Sequence, residues 1–295
     1  LYDPPRVLDP DAHLGLLDAA LREDAAERDL TTEALVPADA RGTAEVVCRE
    51  RGVLAGLPLL PPLLRRLDPT GTVEALAQDG EEAGPGAVVA RLRARSRALL
   101  AVERTALNVL RRLSGVATLT ARYVEAVAGT GAKVYDTRKT TPGWRELEKH
   151  AVRCGGGENH RMRLDDAAML KENHLLASEG TTGPAAVGRA VARLRETLPE
   201  GVPLCVEVES VEELEAALPH RPDVVMLDGF DLGDVRRAVR LVRASGEPRP
   251  LVEATGGITL ETVAAFAAAG VDRVSVGALT HSAPALDLSM RFLPA

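Results

Sequence analysis

Six short apolar runs in the second half of this chain each end in residues that can do chemistry. Asp136 is followed by Arg138 and Lys139, Lys171 by Glu172 and Asn173, and Glu207 by Glu209. Asp228 closes a fourth run, Gly256-Gly257 follow a fifth, and Gly277 ends a sixth. Neighbouring strands ending at Glu207 and Asp228 would set two carboxylates close together. Such a pair suits Mg²⁺ and hydroxyl ligation, or general acid and base work, and the residues alone leave both open. The segments Glu253-Ala254-Thr255-Gly256-Gly257 and Ser275-Val276-Gly277-Ala278 carry glycines that let backbone N–H groups approach an anion. Residues 138–171 hold eight basic against five acidic side chains in a chain of net charge −7, a local excess that suits an anionic ligand. Within it, Arg138 and Lys139 directly after a run, and His160-Arg161 after Gly155-Gly156-Gly157, are placed to grip carboxylate or phosphate. Only Lys133, Lys139, Lys149 and Lys171 are lysines among the 36 basic residues, so each has a stronger claim to a specific role.

The elements that must position these residues alternate. Strand-like runs at 132–136, 168–171, 203–208, 223–228, 251–255 and 273–277 are separated by helical patterns, for example at 184–198, 211–218 and 260–270. That rhythm implies parallel strands joined by right-handed crossovers. Six strands fall two short of a complete barrel, so an open (incomplete) α/β barrel is expected, with a doubly wound sheet as the alternative. In a barrel the site forms at the C-terminal ends of the strands, and late loops recurrently cradle phosphate. The first half reads as a small α+β domain. A helical pattern covers 10–28, β-like runs cover 43–50, 73–78 and 87–92, and a long helical stretch covers 97–128 with a break near Ser114-Gly115.

Composition narrows the classes. The 295 residues are 45% hydrophobic and 27% charged, ordinary for a folded globular chain, and no run is long and apolar enough to cross a membrane. The acidic balance and 2% aromatic content argue against a nucleic-acid binder. Cys48, Cys154 and Cys205 are scattered, which argues against a disulfide scaffold or zinc ribbon. No secretory signal is visible in the opening LYDPPRVLDPDAH, so a cytoplasmic location is expected. His13, His220 and His281 read as structural or surface residues.

Seven ordered blocks then resemble one family, the quinolinate phosphoribosyltransferases (decarboxylating nicotinate-nucleotide pyrophosphorylases). They are EDAAERDLTT (23–32), ERTALNVLRRLSGVAT (103–118), AKVYDTRKTTPGWR (132–145), HAVRCGGGENHRMRL (150–164), MLKENH (169–174), VEVES (206–210) and GVDRVSVGALTHS (270–282). The resemblance implies an N-terminal α/β sandwich domain at 1–112, an α/β barrel catalytic domain at 113–280, and a segment at 281–295 returning to the first domain. It implies phosphoribosyl transfer from phosphoribosyl pyrophosphate to quinolinate, yielding nicotinate mononucleotide, pyrophosphate and carbon dioxide.

Carried over residue by residue, the substrate pocket comprises Arg104, Thr137, Arg138, Lys139, His160, Arg161 and Lys171. Arg104 would come from the neighbouring subunit of a homodimer. Lys139, Lys171, Glu207 and Asp228 are the catalytic candidates, and Glu207 and Asp228 would meet Mg²⁺ directly or through water and ribose hydroxyls. The phosphate loops comprise Ala254, Thr255, Gly256, Gly257, Ser275, Val276 and Gly277. Ala254, Gly229 and Trp144 depart from the usual pattern, which bears on substrate detail more than on reaction class.

Three other readings compete. A paralogue found with molybdate-transport genes would keep the phosphate loops and alter the dicarboxylate pocket, against the intact TRKTTPG and ENHR blocks. A phosphate-binding sensor would not require the Glu207/Asp228 pair. A Schiff-base lyase or isomerase would rely on Lys171 in a cationic neighbourhood that depresses its pKa.

Overall fold

The computed structural model describes residues 8–293; residues 1–7 and 294–295, which fall in the first and last expected domains, lie outside the described residues. In chain order, a 3-10 turn (Pro10–His13) leads into α1 (Leu14–Glu23) and α2 (Leu30–Leu35), followed by β1 (Arg41–Cys48) and β2 (Gly52–Val53). Then come α3 (Leu60–Leu67), β3 (Thr72–Ala75), β4 (Glu82–Ala83), β5 (Val88–Arg95) and the long α4 (Ser96–Ala126). Next are β6 (Lys133–Tyr135), α5 (Arg145–Cys154), β7 (Ala168–Leu170), α6 (Glu172–Glu179), α7 (Pro184–Thr197), β8 (Leu204–Val208) and α8 (Val211–Ala217). The chain continues through β9 (Val224–Asp228), α9 (Leu232–Ala244), β10 (Leu251–Thr255), α10 (Val263–Ala268), β11 (Arg273–Ser275), α11 (Ala278–His281) and β12 (Leu288–Leu293).

These elements form two compact units. The first gathers residues 8–121, 140–156 and 279–293 of the described chain. Its sheet is antiparallel, in the order β12-β1-β5-β3. Val46, Cys48, Leu92 and Ala94 of the sheet are buried, as are Leu63, Leu64, Leu99, Val102, Leu110 and Leu113 of α3 and α4. Fully burying each valine or leucine among them is worth roughly 1.5–3 kcal/mol before chain entropy is counted. Opposite charges face each other across the strands: Glu45 is in register with both Arg91 and Arg291 and accepts hydrogen bonds from each.

The break expected near Ser114-Gly115 does not occur, because α4 is continuous. Gly115 is there for a close approach rather than a stop. A Cβ at that position would collide with the carbonyl oxygen of Pro284. Ser114 is turned to use as well, its hydroxyl accepting the Ala55 N–H at 3.0 Å. A helical glycine costs about 1 kcal/mol relative to alanine, which packing here overrides.

The chain-order division at 112/113 therefore falls inside one uninterrupted helix. Residues 140–156 also group with the first unit. Glu148, fully buried, explains why: it accepts from Arg112 Nε at 3.0 Å, and from Thr141 N at 3.0 Å and Oγ1 at 2.8 Å. Arg112 in turn donates to the carbonyls of Thr280 and Ala283.

The second unit comprises residues 122–139 and 157–278. Its sheet is wholly parallel, in the order β6-β11-β10-β9-β8-β7. From β7 the order climbs strand by strand to β11 and then returns to β6. That is the order of a barrel opened between β6 and β7, not of a doubly wound sheet, whose order reverses at a switch point. β8 and β9 are almost unbroken apolar runs, as expected of parallel strands covered on both faces.

Candidate active site

The C-terminal ends of the six parallel strands lie along one edge, and the polar residues expected from the sequence follow them there. Beyond β6, buried Asp136 organises the neighbouring loop. Its Oδ1 accepts the His160 N–H at 2.8 Å and its Oδ2 accepts from Asn159 Nδ2 at 2.6 Å. A parallel bridge from Tyr135 to Glu158 fixes the same segment. Thr137 Oγ1 accepts the Lys139 N–H at 3.0 Å, turning the chain so that Arg138 is half-buried and Lys139 exposed.

His160 and Arg161 are both buried. His160 Nδ1 accepts the Arg161 N–H at 2.9 Å, so the imidazole proton resides on Nε2, which faces Glu253 Oε1 at 3.5 Å. Arg161 Nη1 donates to the Ala167 carbonyl at 2.6 Å, a contact that holds the guanidinium against its loop. Glu253 lies fully buried in β10 and also accepts from Ser275 Oγ at 2.5 Å. Burial pushes its carboxyl up, yet hydrogen bonds from His160 and Ser275, with the charge of Arg273, bring the net shift below the ordinary value. Arg273 stacks over the Tyr135 ring at 4.6 Å.

Lys171 directly follows β7 and forms a close ion pair with Glu207 of β8. Its backbone is set by His174, whose Nδ1 accepts the Lys171 N–H at 3.0 Å at the start of α6. This corrects the cationic neighbourhood expected for Lys171, because its ammonium meets a carboxylate. Register puts Glu207 opposite Met226 and Val208 opposite Leu227, which places Asp228 one step beyond. Glu207 and Asp228 are thus diagonal neighbours at one sheet edge. Glu209 completes an acidic group there. Burial, then the charges of Glu172, Glu213, Asp228 and Glu207, raise its carboxyl above the ordinary value. Oxygen donors crowded in this way suit a hard cation such as Mg²⁺.

The glycine turns take different parts. Thr255 pairs with Asp228, and Gly256 follows at φ +81°. A Cβ on Gly256 would collide with Asp228 Oδ1, so this position requires glycine for both conformation and space. Around Gly257, at φ +63°, a Cβ would meet nothing, which leaves its backbone open to approach. Ala254, Ser275 and Val276 are buried, Ala254 in register with Leu227 on one side and Val274 on the other. Gly277 follows at the mouth of the sixth strand. Gly229, at φ +69°, is exposed, and Trp144 is half-buried at the start of α5. Arg104 is exposed on α4, in the first unit.

The sequence reading named Asp136, Glu209 and Glu253 only among the polar residues near the strand ends and gave neither them nor His174 a role. Glu253 had a signal, a lone carboxylate inside an otherwise apolar strand, which is rarely buried without a task.

Comparison with known proteins places this arrangement. Residues 29–114 match the quinolinate phosphoribosyl transferase N-terminal domain and residues 116–291 its C-terminal domain. The chain is 42% identical over 288 residues to a nicotinate-nucleotide pyrophosphorylase [carboxylating] of Mycobacterium leprae, covering 95% of this chain and 97% of that one. It is 40% identical to a probable nicotinate-nucleotide pyrophosphorylase [carboxylating] of Synechocystis, covering 92% and 90%. Among solved structures, the nicotinate-nucleotide pyrophosphorylase from Francisella tularensis superposes with a TM-score of 0.90 at 34% identity, covering 99% of this chain and 100% of that one. NadC from Streptococcus pyogenes gives 0.89 at 38% identity, covering 98% and 99%. Both domains and nearly the whole length agree: the chain belongs to the quinolinate phosphoribosyltransferase family.

Proposed function

We propose that this chain transfers the phosphoribosyl group of phosphoribosyl pyrophosphate to quinolinate and releases carbon dioxide, pyrophosphate and nicotinate mononucleotide, a step of NAD biosynthesis. One observation carries the assignment of the site. A single edge of the parallel sheet gathers Arg138, Lys139, His160, Arg161 and Lys171 together with the Glu207/Asp228 carboxylates and the open Gly256-Gly257 turn.

Quinolinate carries two adjacent carboxylates. Arg161, buried and held by Ala167, forms a rigid cationic floor for them, with buried His160 set beside it by Glu253, and Lys139 and Arg138 close over from the β6 loop. The pyridine nitrogen attacks C1 of the ribose as the bond to pyrophosphate breaks. Positive charge builds on the sugar, and Glu207 and Asp228 face it as preorganised carboxylates, with Lys171 fixing Glu207. The 5′-phosphate takes the backbone of the Gly256-Gly257 turn and the loop at Gly277. Ribosylation leaves the ring nitrogen cationic. The C2 carboxylate then departs as carbon dioxide, its bonding electrons remain on C2 beside that nitrogen, and C2 takes up a proton. Mg²⁺, held by Glu207 and Asp228 directly or through water, would supply charge neutralisation for the pyrophosphate.

The enzyme acts as a cytoplasmic homodimer in this reading, with exposed Arg104 reaching the neighbouring subunit's pocket. Mixing Arg104→Ala chains with Lys139→Ala chains tests it. Recovered activity in the mixed dimers is expected, and none would mean that Arg104 acts within its own chain. The reaction itself is tested by supplying phosphoribosyl pyrophosphate and Mg²⁺ with either quinolinate or nicotinate. Product from quinolinate alone supports the assignment, and product from nicotinate alone overturns it.

A further inference from the structure

Asp79, His150 and Cys154 lie in the first unit and take no part in the chemistry above. His150 and Cys154 are one helical turn apart on α5, so their side chains share a face. Asp79 comes from the turn between β3 and β4, and that turn is brought close by Gly80, whose φ is +89° and where a Cβ would lie 3.6 Å from the Cys154 carbonyl oxygen. His150 Nε2 is 2.8 Å from Asp79 Oδ2 and 3.3 Å from Cys154 Sγ, and one donor atom from each residue falls within 4.8 Å of the others. All three residues are part-buried, shielded yet within reach of solvent.

We propose that these residues form a zinc-class site, in which one divalent transition metal is held by a carboxylate oxygen, an imidazole nitrogen and a thiolate, with water in the fourth position. The donor set is mixed oxygen, nitrogen and sulfur, which favours Zn²⁺ or Co²⁺ over Mg²⁺. Bond lengths of about 2.0 Å to nitrogen and oxygen and about 2.3 Å to sulfur give tetrahedral ligand separations of roughly 3.3–3.6 Å. The site therefore opens by a few tenths of an ångström on loading.

An outer shell for the ligands is already in place. Asp79 Oδ1 accepts the Leu57 N–H and Oδ2 the Gly56 N–H, each at 2.9 Å, so the carboxylate is aimed by backbone from a third segment. Arg153 Nη2, 3.5 Å from His150 Nδ1, is the neighbouring cation on α5. Without metal, His150 Nε2–H donates a hydrogen bond to Asp79 Oδ2. On binding, that proton moves to Nδ1, the half-exposed Arg153 swings aside, and the thiol proton leaves to solvent.

A loaded site ties the end of α5 to the β3–β4 turn.

The test is Co²⁺ titration of the full-length chain followed by absorption. One equivalent is expected to produce a thiolate-to-cobalt charge-transfer band and the intense visible bands of four-coordinate Co²⁺, with Zn²⁺ displacing both. Cys154→Ser should abolish the charge-transfer band, weaken binding at least tenfold, and remove the zinc-induced rise in melting temperature expected of the unaltered chain. Absence of a thiolate band in the unaltered chain overturns the proposal without any variant. So does a Cys154→Ser chain that binds Co²⁺ equally well, because the metal would then sit on carboxylates elsewhere. Should Cys154→Ser fold poorly, His150→Gln provides the second variant, with the same loss expected.

Discussion

The two ends of the parallel sheet use the same residue types for opposite purposes. At the N-terminal ends Asp272 and Asp223 are matched. Asp272 accepts both arms of Arg249 at 2.9 Å and the Val252 N–H at 2.8 Å, while Asp223 accepts from Arg195 at 2.8 Å and from the Leu204 N–H at 2.7 Å. These acids stitch one strand to the next. At the C-terminal ends like charges are collected instead, with Glu207, Asp228, Glu209, Glu172 and Glu213 near enough for Glu209 to feel the other four. Arranging charge in this way works against stability unless something neutralises it. The closed end therefore holds the fold, and the crowded end awaits anionic and cationic ligands.

Variants at the two ends should separate these purposes. The largest effect is expected from Arg161→Ala and Lys139→Ala, which remove cations assigned to the dicarboxylate. Turnover per quinolinate should fall by roughly 10²–10⁴ while the chain still folds, measured as carbon dioxide released. Unchanged turnover and affinity in both would dismiss the pocket. Asp228→Asn comes next: kcat should drop by about 10²-fold, with thermal stability unchanged or raised, since a like charge has gone. A large loss of stability instead would mean that Asp228 is a fold residue like those at the other end.

Asp272→Ala should do the reverse. It strands Arg249 and a strand N–H, so unfolding in urea should show a loss of about 1–3 kcal/mol while activity per folded molecule is retained. Burial pushes the Asp272 carboxyl up, but Arg249 and the Val252 N–H bring it below its ordinary value of 3.8. A lowered folded pKa stabilises above the unfolded value and is lost as pH falls through the folded one. Asp272→Asn should therefore flatten part of the acid loss of stability below about pH 4. The smallest effect is expected at Lys133, whose pair with Glu158 is exposed on both sides (63% and 45%) at the start of β6. Lys133→Ala should change stability by no more than about 0.5 kcal/mol, which sharpens the contrast with half-buried Asp272.

Much of the parallel sheet was legible in the sequence because each buried strand is a short apolar run bounded by polar punctuation. The runs at 203–208, 223–228 and 251–255 differ from β8, β9 and β10 by at most one residue at the start. Two-residue strands such as β2 and β4 carry no period to read. β12 was hidden for another reason. It is an edge strand in which buried Leu288 gives way to exposed Arg291 and Phe292, so alternation is lost. Gly115 was misread as punctuation because its reason, the Pro284 backbone, lies far along the chain.

The site shows the same division. Local features such as Arg138-Lys139, His160-Arg161 and Gly256-Gly257 could be singled out from neighbours in sequence. Contacts between distant segments could not, which is why Lys171 meeting Glu207, Glu253 beneath His160, and Asp79 against His150 emerged only from the fold.

The most direct test of the central claim is a single turnover with quinolinate, phosphoribosyl pyrophosphate and Mg²⁺, in which nicotinate mononucleotide and carbon dioxide are both quantified. Transfer coupled to decarboxylation at the crowded sheet edge predicts equal amounts of the two, lost when Mg²⁺ is omitted. A folded chain that binds phosphoribosyl pyrophosphate but forms neither product would contradict the account, leaving a phosphate seat without the dicarboxylate chemistry assigned to Arg161, His160 and Lys139.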